Sequence, residues 1–266
     1  MLFEMDGDFT STMEQLLFKY QTLVFIGFGV FVFFSGLNNL KQFRDEPEPG
    51  RDSVETIGEY RQKELISIES VIHLVVGSAA IYKLEGNHFS SDDDHFNSNA
   101  LWLSIMLSTS MSYVGLSVRD HVKYGHTVFD SYPENYRRVY RSVLSMVLVF
   151  GLAEKSNNQV RYLWILIAEL FDLLWQVRRL YHNHLNGSSR LKIRLIGGIG
   201  LVSQLARMFI YVYVTCLLMQ PRHDLDSSVI WFVPPAGVGV LTVTNVYAVY
   251  VHGRDLVVGQ PIKCSP

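Results

Sequence analysis

The sequence predicts an all-α fold, a polytopic transmembrane helical bundle with about seven spans, and two observations predict it. Seven apolar stretches run through the 266 residues, and several are close to the roughly 20 apolar residues that cross a bilayer. The Lys and Arg residues of the connecting loops are alternately many and few. By the positive-inside rule, this alternation predicts that the N-terminus faces out and the C-terminus faces in.

The stretches follow one another closely enough that we expect one domain rather than two. In chain order, Lys and Arg number one before the first stretch, then five, none, four, two, five, one and finally two. We expect an acidic segment at 1–19, a bundle at 20–252 and a tail at 253–266. The seven stretches lie near residues 20–38, 65–83, 100–118, 139–153, 160–181, 194–219 and 229–251, of which the fourth is the weakest.

Composition limits the classes of function that fit. The net charge is −2, and no basic run with interleaved aromatic residues occurs, so a nucleic-acid role has no support. Cys216 and Cys264 supply neither a disulfide framework nor a spaced zinc site. The acidic and His residues near 88–95 match no calcium loop, so no metal is expected. The acidic first nineteen residues argue against a basic secretory or organelle presequence.

The fifth stretch contains two carboxylates at membrane depth. Glu169 and Asp172 are three residues apart and share a helical stripe with Gln176. In the sixth stretch Arg207 lies near mid-membrane, with Gln204 one turn before it. Because an ionised group at that depth costs about 2.5–3.5 kcal/mol, each needs a partner. We expect both acids to pair with Arg207, either as an interhelical clamp or as a proton or lipid head-group site.

Other polar residues and two prolines also lie in the spans. Glu69 and His73, at i and i+4, could form a catalytic acid/base couple or a hydrogen bond that supports packing. Asn245 in the seventh stretch is typical of an interhelical hydrogen bond. Pro234 and Pro235 remove backbone donors, so the last helix must kink or begin there.

The end of the fifth stretch is basic. Arg178, Arg179 and His182 lie where the helix would meet the inner membrane surface. These side chains could bind lipid phosphates, or act only as anchors of topology.

Three short motifs follow one another in the second half of the chain. Residues 112–120 read SYVGLSVRD, residues 168–172 read AELFD with two arginines at the end of the span, and residues 204–210 read QLARMFI. Their order and spacing, from about 101 to 252, resemble the TLC family. That membrane domain is shared by translocon-associated TRAM proteins, ceramide synthases and several regulators of lipid composition.

The resemblance to ceramide synthases does not extend to their histidine pair. In ceramide synthases an adjacent histidine pair, near the start of the span before the glutamate-bearing one, supports acyl transfer from acyl-coenzyme A to a sphingoid amine. Here residues 136–142 read YRRVYRS, and no His–His pair occurs in the chain. Acyl transfer needs a general base, and His is the side chain best suited to that role near neutral pH. The sequence therefore resembles a family member that lacks the usual catalyst.

We expect a non-catalytic accessory or structural subunit of a membrane protein assembly. Its partners would be membrane lipids and other membrane protein subunits, with bound phospholipid and no other cofactor, in the mitochondrial inner membrane or the endoplasmic reticulum. The alternative is a lipid N-acyltransferase or membrane-lipid regulator, in which His73 is the base and Glu69, Glu169 and Asp172 lie near the donor or amine. That alternative predicts a long, closed tunnel that reaches mid-membrane from the inner surface.

Retinal proteins, receptors and transporters fit the sequence poorly. A retinal protein would need a lysine in the seventh stretch, and a receptor would be expected to carry a proline-containing motif there. Neither feature occurs in residues 245–250. A transporter would show internal repeats, and we find no convincing repeat.

Overall fold

The computed structural model describes residues 54–85, 98–124, 132–154, 156–180, 189–220 and 232–260. Within these ranges the chain forms helices and no strand, which confirms the all-α prediction for this part. The first apolar stretch, 20–38, and the acidic segment, 1–19, lie outside the described residues. The described helices are α1 (Val54–Glu85), α2 (Ser98–Tyr124), α3 (Tyr132–Ala153), α4 (Ser156–Leu170), α5 (Leu173–Leu180), α6 (Arg190–Leu218) and α7 (Val233–Val258).

Three of these helices are long and apolar enough to cross a membrane. The segments are Ser67–Glu85 in α1, Asn99–Val118 in α2 and Arg190–Leu218 in α6. Each has the length that the hydrocarbon core of a bilayer requires. The helices therefore indicate an integral membrane protein.

Helix α4 lies at the centre of the described bundle, where it packs against α1, α2, α3 and α6. It is apolar on every side over residues 162–168, and all but one of these side chains are buried. A helix that is apolar all round requires neighbours on all sides. The acidic residue that follows this run, Glu169, is consequently carried into the middle of the bundle.

The fifth apolar stretch, near 160–181, is not one helix, because α4 ends at Leu170 and α5 begins at Leu173. At the break, the N–H groups of Phe171 and Asp172 donate to the carbonyl oxygens of Ala168 (3.1 Å) and Glu169 (3.0 Å), a tighter turn than an α-helix has. The Phe171 carbonyl oxygen instead accepts from the Ser203 Oγ hydroxyl, at 2.9 Å. Such side-chain donors are what permits a helix to break among apolar neighbours.

Two helix boundaries also differ from the sequence-based ones. Helix α3 begins at Tyr132 rather than near 139, and α7 continues to Val258, so residues 253–258 of the expected tail are helical. Both extensions carry charged side chains that are paired inside the bundle, and a search for apolar runs therefore misses them. Pro234 and Pro235 lie in the first turn of α7, so the helix begins there, as one of the two interpretations predicted.

Helices α6 and α7 form the most extensive helix pair, and glycines bring their backbones together. A Cβ atom on Gly197 would lie 2.6 Å from the Leu256 backbone nitrogen, and one on Gly200 would overlap the His252 imidazole. Since only glycine fits at this spacing, the register of α6 against α7 is fixed. That register brings Asn245 of α7 beside Arg207 of α6.

Candidate functional site

Ionised and hydroxyl-bearing side chains from α1, α3, α4, α6 and the α4–α5 break meet at the level of Glu169. We call the ionised members the six-charge cluster; it contains three carboxylates and three guanidinium groups, all at least 95% buried. Buried ions are stable only when each is paired. The members are Glu69 of α1, Arg137 and Arg141 of α3, Glu169 of α4, Asp172 at the α4–α5 break and Arg207 of α6.

Glu169 is the centre of the cluster. Its Oε1 atom accepts from Arg207 Nη2 at 2.8 Å and from the Tyr211 hydroxyl at 2.6 Å. Its Oε2 atom accepts from Arg141 Nη1 at 2.8 Å. The Tyr140 hydroxyl also donates to Oε1. The carboxylate is thus surrounded by donors from α3 and α6, and charge-assisted bonds of this kind are among the strongest in proteins.

Asp172 extends the cluster to the break in the fifth stretch. Its Oδ1 atom lies 2.6 Å from Arg207 Nη1. Its Oδ2 atom accepts from Gln176 Nε2 at 3.0 Å and lies 3.6 Å from Arg141 Nη2. The predicted contact of both acids with Arg207 is therefore present, and the Arg207 guanidinium divides its two terminal nitrogens between them.

Glu69 joins the cluster from α1, through two arginines that the sequence analysis did not select. Arg141 Nη2 lies 2.7 Å from Oε1, and Arg137 Nη2 donates to Oε2. Arg137 and Arg141 are four residues apart, so both point from the same face of α3. Arg141 also contacts Glu169, and it thereby links α1 to α4.

The charges of the cluster balance when all six groups are ionised. Each of the six carboxylate oxygens lies within 3.6 Å of a guanidinium nitrogen. Three negative and three positive charges leave no net charge in a region from which water is excluded. This balance offsets the cost of taking the ions out of water.

His73 contacts the cluster through both ring nitrogens. Nδ1 lies 3.2 Å from the main-chain oxygen of Glu169, and Nε2 lies 3.1 Å from Arg141 Nη2. A neutral ring with its proton on Nδ1 satisfies both contacts, since that nitrogen donates and Nε2 accepts. The predicted approach to Glu69 is present, but at 3.9 Å between Nε2 and Oε1.

The predicted amides lie at the edge of the cluster. Gln176 Nε2 lies 3.2 Å from His73 Nδ1, in addition to its bond to Asp172. Gln204 is not bonded to either acid, because its Nε2 donates to the Phe171 carbonyl oxygen at 3.3 Å. Asn245 Nδ2 donates to the Gln204 main-chain oxygen at 2.9 Å, which is the interhelical bond predicted for it.

The space beside the cluster is small. A cavity of about 10 Å³ lies between α3, the α4–α5 break, α6 and α7, bordered by Tyr136, Tyr140 and Trp175 among others. Such a volume holds about one water molecule, whereas sites for small ligands measure roughly 300–1,000 Å³.

One subset of the cluster has the composition of a metal site. Ligand atoms of His73, Glu169 and Asp172 lie within 4.8 Å of one another. The same carboxylate oxygens are ion-paired with Arg141 and Arg207. A divalent cation would meet two guanidinium charges there, so the electrostatics of the site oppose metal binding.

Arg178, one of the basic residues at the end of the fifth stretch, is buried inside the bundle. It is 3% exposed, and its Nε donates to Asp255 Oδ2 of α7 at 2.6 Å. Its guanidinium also lies over the Trp175 ring, 5.6 Å from the centroid. This end of α5 therefore contacts α7, and binding of lipid phosphate by the basic residues stays a prediction. The side chain of Arg179 and all of His182 lie outside the described residues.

Two of the six members were not selected from the sequence, because Arg137 and Arg141 stand at the polar end of the weakest apolar stretch. Arg137 was counted among the loop cations. Their spacing could have identified them, because Arg137 and Arg141 repeat on a second helix the i, i+4 interval of Glu69 and His73.

The residues of the three motifs are close together in the fold. The Arg137 guanidinium lies over the Tyr113 ring of the first motif at 5.0 Å, and the second and third motifs supply Glu169 and Arg207. Comparisons of the chain with protein families, with curated proteins and with solved structures find no match. The resemblance to the TLC family stays a prediction that rests on these motifs.

Proposed function

We propose that the chain is a non-catalytic accessory or structural subunit of a larger membrane protein assembly and that it binds membrane lipid. The observation that carries the proposal is the pairing of the candidate acids and bases. Glu69, Glu169 and Asp172 are each bound to guanidinium groups, and both nitrogens of His73 have contacts. A general base needs a lone pair within reach of the substrate proton, and His73 uses its lone pair on Arg141.

The volume of the cavity supports the same proposal. An acyl donor and an amine need a pocket far larger than the space for about one water that lies beside the cluster. Within the described residues, the cluster therefore has the properties of a clamp between helices.

The surfaces of two helices support contact with lipid or neighbouring proteins. Only 28% of the apolar segment in α1 and 33% of that in α6 is buried, against 61% in α2. The described residues thus leave broad apolar faces on α1 and α6, and such faces are covered by acyl chains or by other membrane helices.

We further propose seven spans in a TLC-like bundle, with the N-terminus outside and the C-terminus inside. Arg137 and Arg178 are buried and do not count as loop cations. Without them, the connections after the third and fifth stretches keep three and four cations, so the alternation remains. The membrane would be the mitochondrial inner membrane or the endoplasmic reticulum.

The runner-up is a lipid N-acyltransferase or membrane-lipid regulator. It is favoured by the convergence of His73 with Glu169, whose Oε2 lies 3.9 Å from Nδ1. Rearrangement of Arg141 would have to free the imidazole before it could act as a base.

Gentle detergent extraction followed by native mass measurement tests the accessory role. We expect the chain to co-migrate with other membrane proteins at fixed stoichiometry. A chain that migrates alone under conditions that preserve other assemblies contradicts the proposal.

An activity assay tests the runner-up. Purified protein given acyl-coenzyme A and a sphingoid base should form no ceramide. Turnover that is abolished by His73→Ala, and kept by the control His252→Leu at a second buried histidine, would establish the acyltransferase instead.

A further inference from the structure

An apolar groove of about 460 Å³ runs along the outer face of α6, away from the six-charge cluster. Leu256 of α7 forms part of its wall, and its lining is almost wholly apolar. Gly198 forms its floor, because a Cβ atom there would meet only Leu256 Cδ1, at 3.5 Å. The residues of α6 that line it follow one helical stripe: Leu191, Leu195, Gly198, Ile199 and Val202.

Basic side chains stand at one end of this groove. Arg194 belongs to its lining and is exposed, and its Nη2 donates to the Val257 carbonyl oxygen at 3.3 Å. Arg190 is one turn before it on the same face. Both approach Gly259, whose φ of 66° and missing side chain leave room: a Cβ atom there would lie 3.1 Å from Arg194 Nε and 3.4 Å from Arg190 Cβ.

No acidic residue lies near these cations in the amino-acid sequence. The first turn of α6 contains none, and the chain has no Asp or Glu between Asp172 and Asp224. Lys192 adds a third exposed cation to the same turn. The end of the groove is therefore complementary to an anion.

We propose that this groove binds one anionic glycerophospholipid, with an acyl chain along α6 and the phosphate at Arg190 and Arg194. The stripe from Leu191 to Val202 spans roughly 16 Å at the rise of an α-helix. That length matches one leaflet, since the hydrocarbon core of a bilayer is about 30 Å thick. The cations stand where the membrane segment of α6 begins, at head-group level.

The dimensions favour a lipid over a partner helix. A helix docked on α6 would follow its full apolar length, whereas the groove covers one leaflet and ends at charged side chains. The proposal needs only that α6 crosses the membrane. It deepens the lipid-binding part of the proposed function, and it holds or fails independently of the accessory role.

Native mass measurement of the detergent-purified protein tests the site. The probes are dioleoyl phosphatidylglycerol and dioleoyl phosphatidylcholine, which have the same chains and differ in head-group charge. We expect one phosphatidylglycerol per chain, bound about tenfold more tightly than phosphatidylcholine, as charge-assisted bonds to phosphate would give. Raising the salt concentration should weaken phosphatidylglycerol binding alone.

Three variants locate the site. The double variant Arg190→Gln/Arg194→Gln should remove the preference between the two lipids. Gly198→Leu should weaken binding of both lipids, because a Cβ atom at this position meets no backbone atom within 4 Å and the rest of the side chain would fill the groove floor. The matched control is Arg254→Gln, an exposed cation of α7 that does not line the groove.

Two results would overturn the proposal. Equal affinity for both lipids, at low and high salt and in the unaltered protein, would leave only non-specific annular lipid. Loss of a co-purifying protein in Gly198→Leu, with lipid binding unchanged, would assign the groove to a partner helix. If a variant fails to fold, the salt dependence of lipid binding to the unaltered protein still tests the proposal.

Discussion

Two buried ionic groups among the described residues differ in how their carboxylates are paired. In the six-charge cluster, each carboxylate oxygen lies near a guanidinium nitrogen, and tyrosine hydroxyls add donors to Glu169. Glu69 Oε1 and Arg141 Nε make no hydrogen bond there, but Glu69 Oε1 keeps its ion pair with Arg141 Nη2 at 2.7 Å. The pair Arg178–Asp255 has a single hydrogen bond, and Asp255 Oδ1, Arg178 Nη2 and both nitrogens of the neighbouring His252 have no hydrogen-bond partner among the described residues.

This difference indicates which group holds the bundle together. A network in which every carboxylate oxygen has a cationic neighbour is costly to open in a region of low dielectric, because removal of one member leaves a buried charge uncompensated. An incompletely paired group has already lost part of its solvation in the folded state, so its removal costs less. We therefore expect the cluster to dominate stability.

The largest effect is expected for Arg207→Leu. The substitution leaves charge on Glu169 and Asp172 without their shared partner, and loss of one side of a buried ion pair costs about 3–5 kcal/mol. The yield of folded protein and its melting temperature in detergent should both fall. An unchanged melting temperature would show that the cluster is not a clamp.

The control for this prediction is Arg254→Leu, which removes an exposed arginine of α7 and should change stability by less than about 0.5 kcal/mol. A second variant, Arg207→Leu/Asp172→Asn, removes one of the two stranded charges. It should recover part of the lost stability, because neighbouring members of one network are not additive.

A smaller effect is expected for Arg178→Met. Met keeps much of the apolar stem against Trp175, and Asp255 loses the one bond that it has. We expect a loss near the lower end of about 3–5 kcal/mol, because this substitution leaves one buried carboxylate without its cation, whereas Arg207→Leu affects two. A fall in melting temperature as large as that of Arg207→Leu would remove the distinction between the two groups.

The smallest effect is expected for His252→Leu. The substitution removes two buried nitrogens that lack hydrogen bonds and replaces the ring with an apolar side chain of similar size, against Gly200 and Trp175. We expect a change within about 1 kcal/mol, towards greater stability. A clear loss of stability would mean that water or another molecule bonds these nitrogens.

The sequence predicted the part of the cluster that lies in long apolar stretches. Glu169, Asp172 and Arg207 could be selected because an ionisable residue with apolar neighbours must find a partner. Arg137, Arg141 and Asp255 could not be selected in this way, because they lie near helix ends whose composition is ordinary for loops. The break at Phe171 has no sequence signal such as proline, and it depends on donors from α6.

The amino-acid sequence alone determined that the described part of the chain is helical, that helices long enough to cross a membrane are present, and that the charged residues within apolar stretches need partners. These properties follow from local composition and from the cost of polar groups in lipid. Only the tertiary structure decided which charges are neighbours. That choice depends on the rotation of each helix about its axis and on contacts such as Glu69 with Arg137, which join residues far apart in the chain.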